Sequence, residues 1–146
     1  MDERGMLMTE ALVCLAMNVY HEARDQPLLG QVAVAQVVMN RVEDTRFPAS
    51  VCEVVKQGQT YSWNPDIPIK HRCHFSWYCD GKPDTIINQK AWQTAMFVAR
   101  QVYTNKFKDL IEGATHYHAQ YVMPEWATSK SFVIQINDHI FYRWEK

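Results

Sequence analysis

The sequence predicts an α+β fold, a mainly helical body with a small antiparallel β-sheet at its C-terminal end. Apolar residues recur at helical spacing through residues 9–57 and 85–103. In the last third of the chain they alternate instead, as they do in strands. The 146 residues contain no repeat and no low-complexity linker, which indicates one domain over 1–146.

The helical body is predicted to contain four helices. The first runs from Thr9, a suitable N-cap, to Tyr20. The second opens at Pro27 and continues to about Val42, and it is apolar around most of its circumference, so we expect it to be central. A short helix over 48–57 and a longer one over 85–103 complete the set.

Two segments of the chain do not show this helical pattern. Residues 59–84 form a predicted irregular segment, rich in proline and aromatic residues, and so long a loop is usually functional or disordered. Its aromatic content argues against disorder. Beyond the helices we predict a strand over 113–118 and a hairpin of 132–136 with 139–143, turned at Asn137-Asp138.

Composition indicates an ordinary globular protein, with 47% hydrophobic and 21% charged residues. The net charge of -1 favours neither nucleic acid nor an anionic membrane as a partner, and we expect a monomer without membrane insertion. The charged N-terminus, followed by an apolar run that Glu10 and Asn18 interrupt, does not have the pattern of a signal peptide. We therefore expect synthesis in a cytoplasm.

The four cysteines allow two interpretations. Cys14 and Cys52 lie among apolar residues and are predicted to be small buried side chains. Cys73 and Cys79 flank an aromatic stretch and could form a disulfide in an oxidising space, whereas a cytoplasm would keep them reduced.

The stretch Tyr20-His21-Glu22-Ala23-Arg24 places one carboxylate where an apolar helix passes into a polar loop. Partial desolvation there would raise the pKa of Glu22 towards that of a general acid. The alternative is an ordinary surface ion pair between Glu22 and Arg24.

Other polar clusters are less specific. His71, Cys73, His74 and Cys79 are zinc-ligand types, but Cys-x5-Cys fits no common structural zinc pattern. His116 and His118 would share one side of a strand, an arrangement more often hydrogen-bonded than metal-binding. We predict neither a metal nor another cofactor. The surplus of aromatics, 12% of residues, is typical of a groove for a sugar or planar ligand, or of core packing.

Together these segments resemble the spore cortex-lytic (SleB-like) family of cell-wall hydrolases. Two departures stand out: Asp25 and Gln26 replace a usual Gly-Glu pair, and His74 stands where Gln is frequent. The matching blocks run in order along nearly the whole chain: Tyr20-His21-Glu22-Ala23-Arg24, Gly30-Gln31-Val32-Ala33-Val34-Ala35, Val38-Met39-Asn40-Arg41-Val42, Phe47-Pro48, Val51-Cys52-Glu53-Val54-Val55, Cys73-His74-Phe75-Ser76-Trp77, Gly113-Ala114-Thr115-His116-Tyr117-His118, Trp126-Ala127 and His139-x-Phe141-Tyr142.

The resemblance implies a lysozyme-like transglycosylase fold and cleavage of the MurNAc-GlcNAc bond of peptidoglycan, with Glu22 as catalytic acid and base. Two-carboxylate hydrolysis needs a second acid at about 5–9.5 Å, and no matched block supplies an obvious one, so we predict a lytic transglycosylase. Gln31, Ser76, Thr115 and Tyr117 are the candidates to hydrogen-bond the sugar, and Phe75 and Trp77 are the candidates to stack on it.

Without a signal peptide or accessory module, the sequence favours a phage endolysin released through a membrane lesion, although a bacterial enzyme deposited from a mother cell also fits. Two other classes remain open. A zinc-dependent N-acetylmuramoyl-L-alanine amidase would use Cys73, His74, His116 and His118. A non-catalytic glycan-binding module would use the aromatic segment alone.

Overall fold

Residues 3–146, which a computed structural model describes, form four α-helices and five strands. Side chains are described at residue 5 and from residue 8 onward. The helices precede a three-stranded sheet, so the α+β prediction is confirmed. The elements are α1 (Glu3–Ala23), α2 (Leu28–Glu43), α3 (Val51–Val55), β1 (Gly58–Tyr61), β2 (Asn64–Cys73), α4 (Gln89–Tyr103), β3 (His116–Ala119), β4 (Ser131–Ile136) and β5 (His139–Arg143), with short 3-10 helices at Ser76–Cys79 and Glu125–Ser129.

Helix α2 is central, as predicted, because its apolar residues face two packing layers at once. Val32 and Val38 belong to the cluster shared with α1 and α4. Val34 and Val37 belong to a second cluster, which Phe141 of β5 completes from the side of the sheet. All five side chains are fully buried. The helices and the sheet therefore enclose α2 from opposite sides.

Helix α1 begins at Glu3, so the prediction that Thr9 caps its N-terminus is wrong. The Thr9 hydroxyl donates to the carbonyl of Gly5, four residues earlier, which is how threonine is accommodated inside a helix. At the other end α1 continues to Ala23, past the predicted end at Tyr20. Glu22 consequently lies in the last turn of the helix.

Part of the predicted irregular segment is a hairpin of β1 and β2. Most of its residues are exposed, and its register shifts twice, so no alternation of apolar and polar residues marks it in the sequence. Gly58 permits the close pairing, because a Cβ at this position would lie 2.7 Å from the Cα of Cys73.

The C-terminal sheet has the strand order β3-β5-β4, all antiparallel. The predicted hairpin of β4 and β5 is confirmed, and Asn137 in its turn has the positive φ of 52° that asparagine tolerates. Strand β3 begins at His116 and pairs Tyr117 with Phe141 of β5. This pairing packs Tyr117 against the second cluster, the one that contains Phe141.

Two disulfides cross-link the described part of the chain. One joins Cys14 of α1 to Cys52 of α3, with their Cα atoms 5.3 Å apart, so the interpretation of both as unpaired apolar residues is wrong. No local pattern marks a pair 38 residues apart, because folding alone brings the two helices together. The other joins Cys73 at the end of β2 to Cys79 in the first 3-10 helix.

Candidate active site

Glu22 opens into a cleft of about 540 Å³. The last turn of α1 forms one side of the cleft, and Ser76 of the first 3-10 helix adjoins it. The lining also includes Tyr117 of β3, Tyr121 in the loop after it, and His139 at the start of β5. Elements from both ends of the chain therefore meet around one partly buried carboxylate.

The Glu22 side chain is held by one strong contact. The hydroxyl of Tyr117 donates a hydrogen bond to Glu22 Oε1. Burial raises the pKa of Glu22, while this hydrogen bond and the nearby positive charge of Arg41 act against that rise. The pKa of Tyr117 lies well above its usual value, first because the phenol is buried and then because it faces Glu22. Tyr117 therefore stays a protonated donor.

The predicted alternative of a surface ion pair does not match the contacts of Glu22. Arg24 turns back along α1, where its Nη1 donates to the carbonyl of Tyr20 at 3.2 Å and its guanidinium lies 4.7 Å from the Tyr20 ring centroid. Among the described residues, ion pairs join Arg46 to Asp44 and Arg143 to Glu145, and none involves Glu22. Glu22 is thus available for proton transfer.

Arg41 of α2 is a buried cation beside this site. Its Nε donates to the Thr115 carbonyl at 2.7 Å, and its Nη1 lies 3.2 Å from His74 Nδ1. The guanidinium also lies over the rings of Phe47 and Phe75, at 4.8 and 5.1 Å. Burial lowers the pKa of Arg41 to about 10, which leaves it charged at neutral pH. Arg41 therefore fixes the entry to β3 while exerting a positive potential on Glu22.

The sequence interpretation did not single out Arg41 or the loop residues Tyr121 and Val122 as site residues. Arg41 stands in the otherwise apolar run of α2, and a charged residue within such a run is a signal that could have identified it. Tyr121 and Val122 follow a matched strand block, and their place in the cleft depends on how β3 packs.

The structure brings three of the predicted site residues together. Glu22, Ser76 and Tyr117 all line the cleft, and Ser76 is exposed there. Phe75 is only 2% exposed and packs in the main core beside Arg41, an arrangement that leaves no face for a sugar. Trp77 is partly buried. Its Nε1 donates to Asn18 Oδ1 at 2.8 Å, and its ring stacks on His21.

Gln31 and Thr115, the other two predicted contacts, lie outside the cleft lining. Gln31 is buried in the first turn of α2, where its Nε2 donates to the Gln26 carbonyl at 3.1 Å. Thr115 is 3% exposed, and its hydroxyl lies 2.9 Å from His116 Nδ1. Both side chains therefore make contacts inside the protein and do not face the cleft.

The residues that a zinc amidase would need are not assembled as a ligand set. Cys73 and Cys79 are bridged to each other, which removes both thiolates. His118 Nε2 lies 2.8 Å from the Tyr142 hydroxyl. Burial, with the charge of Arg41, lowers the pKa of His116 to about 3, so His116 stays neutral. Among the described residues no group of three His, Cys, Asp or Glu side chains could hold a metal ion.

A second carboxylate does reach the cleft. Asp25 is exposed, lies just beyond the end of α1, and lines the same cleft as Glu22. Two-carboxylate chemistry with Asp25 is therefore an alternative that the sequence blocks did not suggest.

Comparison with known families finds a match to cell-wall enzymes. The model of the family described as Cell Wall Hydrolase matches residues 25–142, beginning three residues after Glu22. Spore cortex-lytic enzymes of Bacillus cereus and Bacillus subtilis are 44% identical over 48 residues and 51% identical over 41. Those alignments cover 33% and 28% of this chain but only 18% and 13% of the two enzymes. The chain thus matches less than a fifth of the length of these curated relatives.

Two solved structures share the fold over almost their whole length. The catalytic domain of the Bacillus cereus SleB protein is 26% identical, with a TM-score of 0.63, covering 92% of this chain and 91% of that one. The catalytic domain of the germination-specific lytic transglycosylase SleB from Bacillus anthracis is 25% identical, with a TM-score of 0.60, covering 91% and 93%. The prediction of a transglycosylase-like helical body with a small C-terminal sheet is confirmed.

Proposed function

Because the chain belongs to the Cell Wall Hydrolase family, we propose that it cleaves the MurNAc-GlcNAc glycosidic bond of peptidoglycan, with Glu22 as its catalytic acid and base. The observation that carries the proposal is the environment of Glu22, a carboxylic acid whose pKa burial raises and whose position the Tyr117 hydroxyl fixes. The fold shared with SleB catalytic domains, one of them named a lytic transglycosylase, supports the same reaction.

The proposed reaction needs one proton to move out of Glu22 and one to return. Protonated Glu22 gives its proton to the glycosidic oxygen as that oxygen leaves the anomeric carbon. The resulting carboxylate removes the proton from the muramyl 6-hydroxyl, whose oxygen bonds to the anomeric carbon and closes a 1,6-anhydro ring. The Tyr117 hydrogen bond stabilises the carboxylate between these steps, and the charge of Arg41 adds to that effect.

Hydrolysis is the second candidate outcome, and Asp25 is the observation that favours it. In a two-carboxylate mechanism Asp25 would act on water or on the anomeric carbon while Glu22 protonates the leaving oxygen. The two outcomes leave different glycan ends, an anhydromuramyl end after transglycosylation and a reducing end after hydrolysis. We propose transglycosylation, so the Asp25→Ala variant should retain most of its activity.

The setting we propose is host lysis by a phage endolysin, which reaches the wall after another protein opens the membrane. The two disulfides support action outside a reducing cytoplasm. No helix in residues 3–146 has the length and apolar character needed to cross a bilayer. Expression in a bacterial host should therefore cause lysis only after the membrane is permeabilised, and lysis without permeabilisation would contradict this setting.

The test of the reaction is mass spectrometry of the muropeptides released from purified sacculi. Wild-type protein should release anhydromuramyl products, and Glu22→Gln should keep the fold but lose nearly all release. In Tyr117→Phe the pKa of Glu22 should rise, so turnover should fall while the alkaline limb of the pH profile moves to higher pH. Circular dichroism of each variant controls for folding.

Each rival function predicts a different result in the same assay. Normal release by folded Glu22→Gln would refute the assignment of the catalytic acid. Release of new amino groups without new glycan ends, abolished by a chelator, would indicate the amidase instead. Binding to sacculi with no soluble product at any protein concentration would indicate a binding module.

A further inference from the structure

An exposed apolar loop adjoins the Glu22 cleft. Its side chains Tyr121, Val122 and Met123 are 87%, 50% and 72% exposed. Large apolar side chains grouped on a surface in this way often mark a binding site. Two of the three, Tyr121 and Val122, line the same cleft as Glu22, so any glycan in that cleft would pass over them.

The loop is held in place by hydrogen bonds to the β4–β5 turn. The backbone N–H of Gln120 donates to the Asp138 carbonyl at 2.8 Å, and the Gln120 side chain donates to Asp138 Oδ1 at 3.2 Å. Gln135 of β4 donates in turn to Gln120 Oε1 at 2.9 Å. Immediately after Gln120, the Val122 N–H closes a turn on the Ala119 carbonyl at 3.0 Å. These hydrogen bonds hold the backbone on either side of Tyr121, so little backbone conformational entropy is lost when a ligand binds to its side chain.

The chemistry of this wall suits a sugar. One face of a pyranose ring presents C–H groups that pack on an aromatic ring, while its hydroxyl and acetamido groups need polar partners. Tyr121 and Val122 supply the apolar surface, and Asp25 and Ser76 supply polar groups in the same cleft. The aromatic rings predicted for stacking, Phe75 and Trp77, are instead engaged in the interior.

We propose that Tyr121, flanked by Val122, forms a sugar-binding subsite that stacks on an N-acetylhexosamine of the glycan strand beside the bond that Glu22 cleaves. The proposal rests on the proposed function, because it takes the glycan as the occupant of the cleft. In this proposal the loop after β3 recognises the substrate, and the hairpin of β1 and β2 does not contact the sugar.

The test measures binding of a soluble tetrasaccharide of alternating GlcNAc and MurNAc by calorimetry. The Glu22→Gln background prevents cleavage of this probe. Added to that background, Tyr121→Ala should weaken binding by about tenfold, as expected when the burial of one aromatic face is lost. Tyr121→Phe should bind like its parent, because the ring and not the hydroxyl stacks. Melting temperatures should not change, since Tyr121 is almost fully exposed.

Trp63 provides a matched control. It is an exposed aromatic, 71% accessible, in the turn between β1 and β2, where it packs against Tyr61 outside the lining of the cleft. Trp63→Ala should therefore bind the tetrasaccharide like its parent. In proteins with Glu22 intact, Tyr121→Ala should raise KM for glycan cleavage, and Trp63→Ala should not.

The outcomes separate this subsite from the proposed function. If wild-type protein releases muropeptides but Tyr121→Ala binds and cleaves like its parent, the subsite is refuted and the function stands. Equal weakening by Tyr121→Ala and Trp63→Ala would also refute it, because the effect would then belong to apolar surface in general. If wild-type protein neither binds nor cleaves glycan, both proposals fail together.

Discussion

Removing the disulfide between Cys14 and Cys52 should lower the free energy of unfolding substantially. The bridge ties α1, which carries Glu22 in its last turn, to α3 across 38 residues of chain that include all of α2. In the unfolded state it restricts this long segment, while in the folded state the two helices already lie together. The double variant Cys14→Ala/Cys52→Ala tests its contribution.

The separation along the chain sets the size of the effect. The loop-entropy relation gives about 4 kcal/mol for 38 residues, and about 2 kcal/mol for the separation of 6 between Cys73 and Cys79. A domain of this size is typically stable by about 5–15 kcal/mol, so the longer bridge represents a large fraction of that total. The shorter bridge should matter less for stability.

Urea unfolding, followed by circular dichroism under oxidising conditions, measures both contributions. Wild-type protein should be the most stable, the matched control Cys73→Ala/Cys79→Ala should be intermediate, and Cys14→Ala/Cys52→Ala should be the least stable. Under a reducing agent the wild-type protein should lose the stability of both bridges. Thiol titration of the unfolded proteins confirms which cysteines were paired. If the free energy of unfolding of the Cys14/Cys52 variant lies within about 1 kcal/mol of the wild-type value, the entropic reasoning is refuted.

Two further predictions concern Glu22 and Trp77. Burial raises the pKa of Glu22, so its contribution to stability is present at acidic pH, below its unfolded pKa, and is lost as the pH rises through its folded pKa. Glu22→Gln should therefore melt higher than wild type at neutral pH, with the advantage disappearing towards pH 3; parallel melting curves across that range would contradict the buried-acid assignment. Trp77→Ala should melt several degrees lower, because it loses buried ring area and the hydrogen bond to the fully buried Asn18, at a cost of about 3 kcal/mol. Ser76→Ala, beside it and exposed, should melt like wild type, and an unchanged melting temperature for Trp77→Ala would make its ring available as a sugar platform.

Local patterns explain what could be predicted from the sequence. The run of apolar residues in α2 has to be enclosed on most sides, so its central position follows from composition alone. The β4–β5 hairpin combines alternating residues with Asn137-Asp138, a turn of recognisable chemistry. Glu22 could be proposed as the catalytic residue from sequence because a carboxylate stands at the end of an apolar helix within a matched block. Each of these signals lies within a short stretch of chain.

The remaining features depend on contacts between distant segments. Tyr117, predicted as a sugar contact, lines the cleft and also donates to Glu22 across 95 residues of sequence, and only the docking of β3 beside α1 makes that contact possible. The bridge of Cys14 and Cys52 likewise follows from the packing of α1 on α3. Phe75 and Trp77 are aromatic, but sequence cannot distinguish an aromatic ring that lines a cleft from one that fills the core beneath it.

The way Arg41 is held has a consequence for the single-carboxylate reaction. In the reaction we propose, Glu22 carries a proton at the start and loses it midway, so its two protonation states have to be close in free energy. A direct ion pair with Arg41 would stabilise the carboxylate too strongly and leave no acid to protonate the leaving oxygen. The hydrogen bonds of Arg41 go instead to the Thr115 carbonyl and towards His74, and its charge acts on Glu22 only through space. Burial then raises the pKa of Glu22 and so favours the protonated acid, while the Tyr117 hydrogen bond and the charge of Arg41 act in the opposite direction and stabilise the carboxylate.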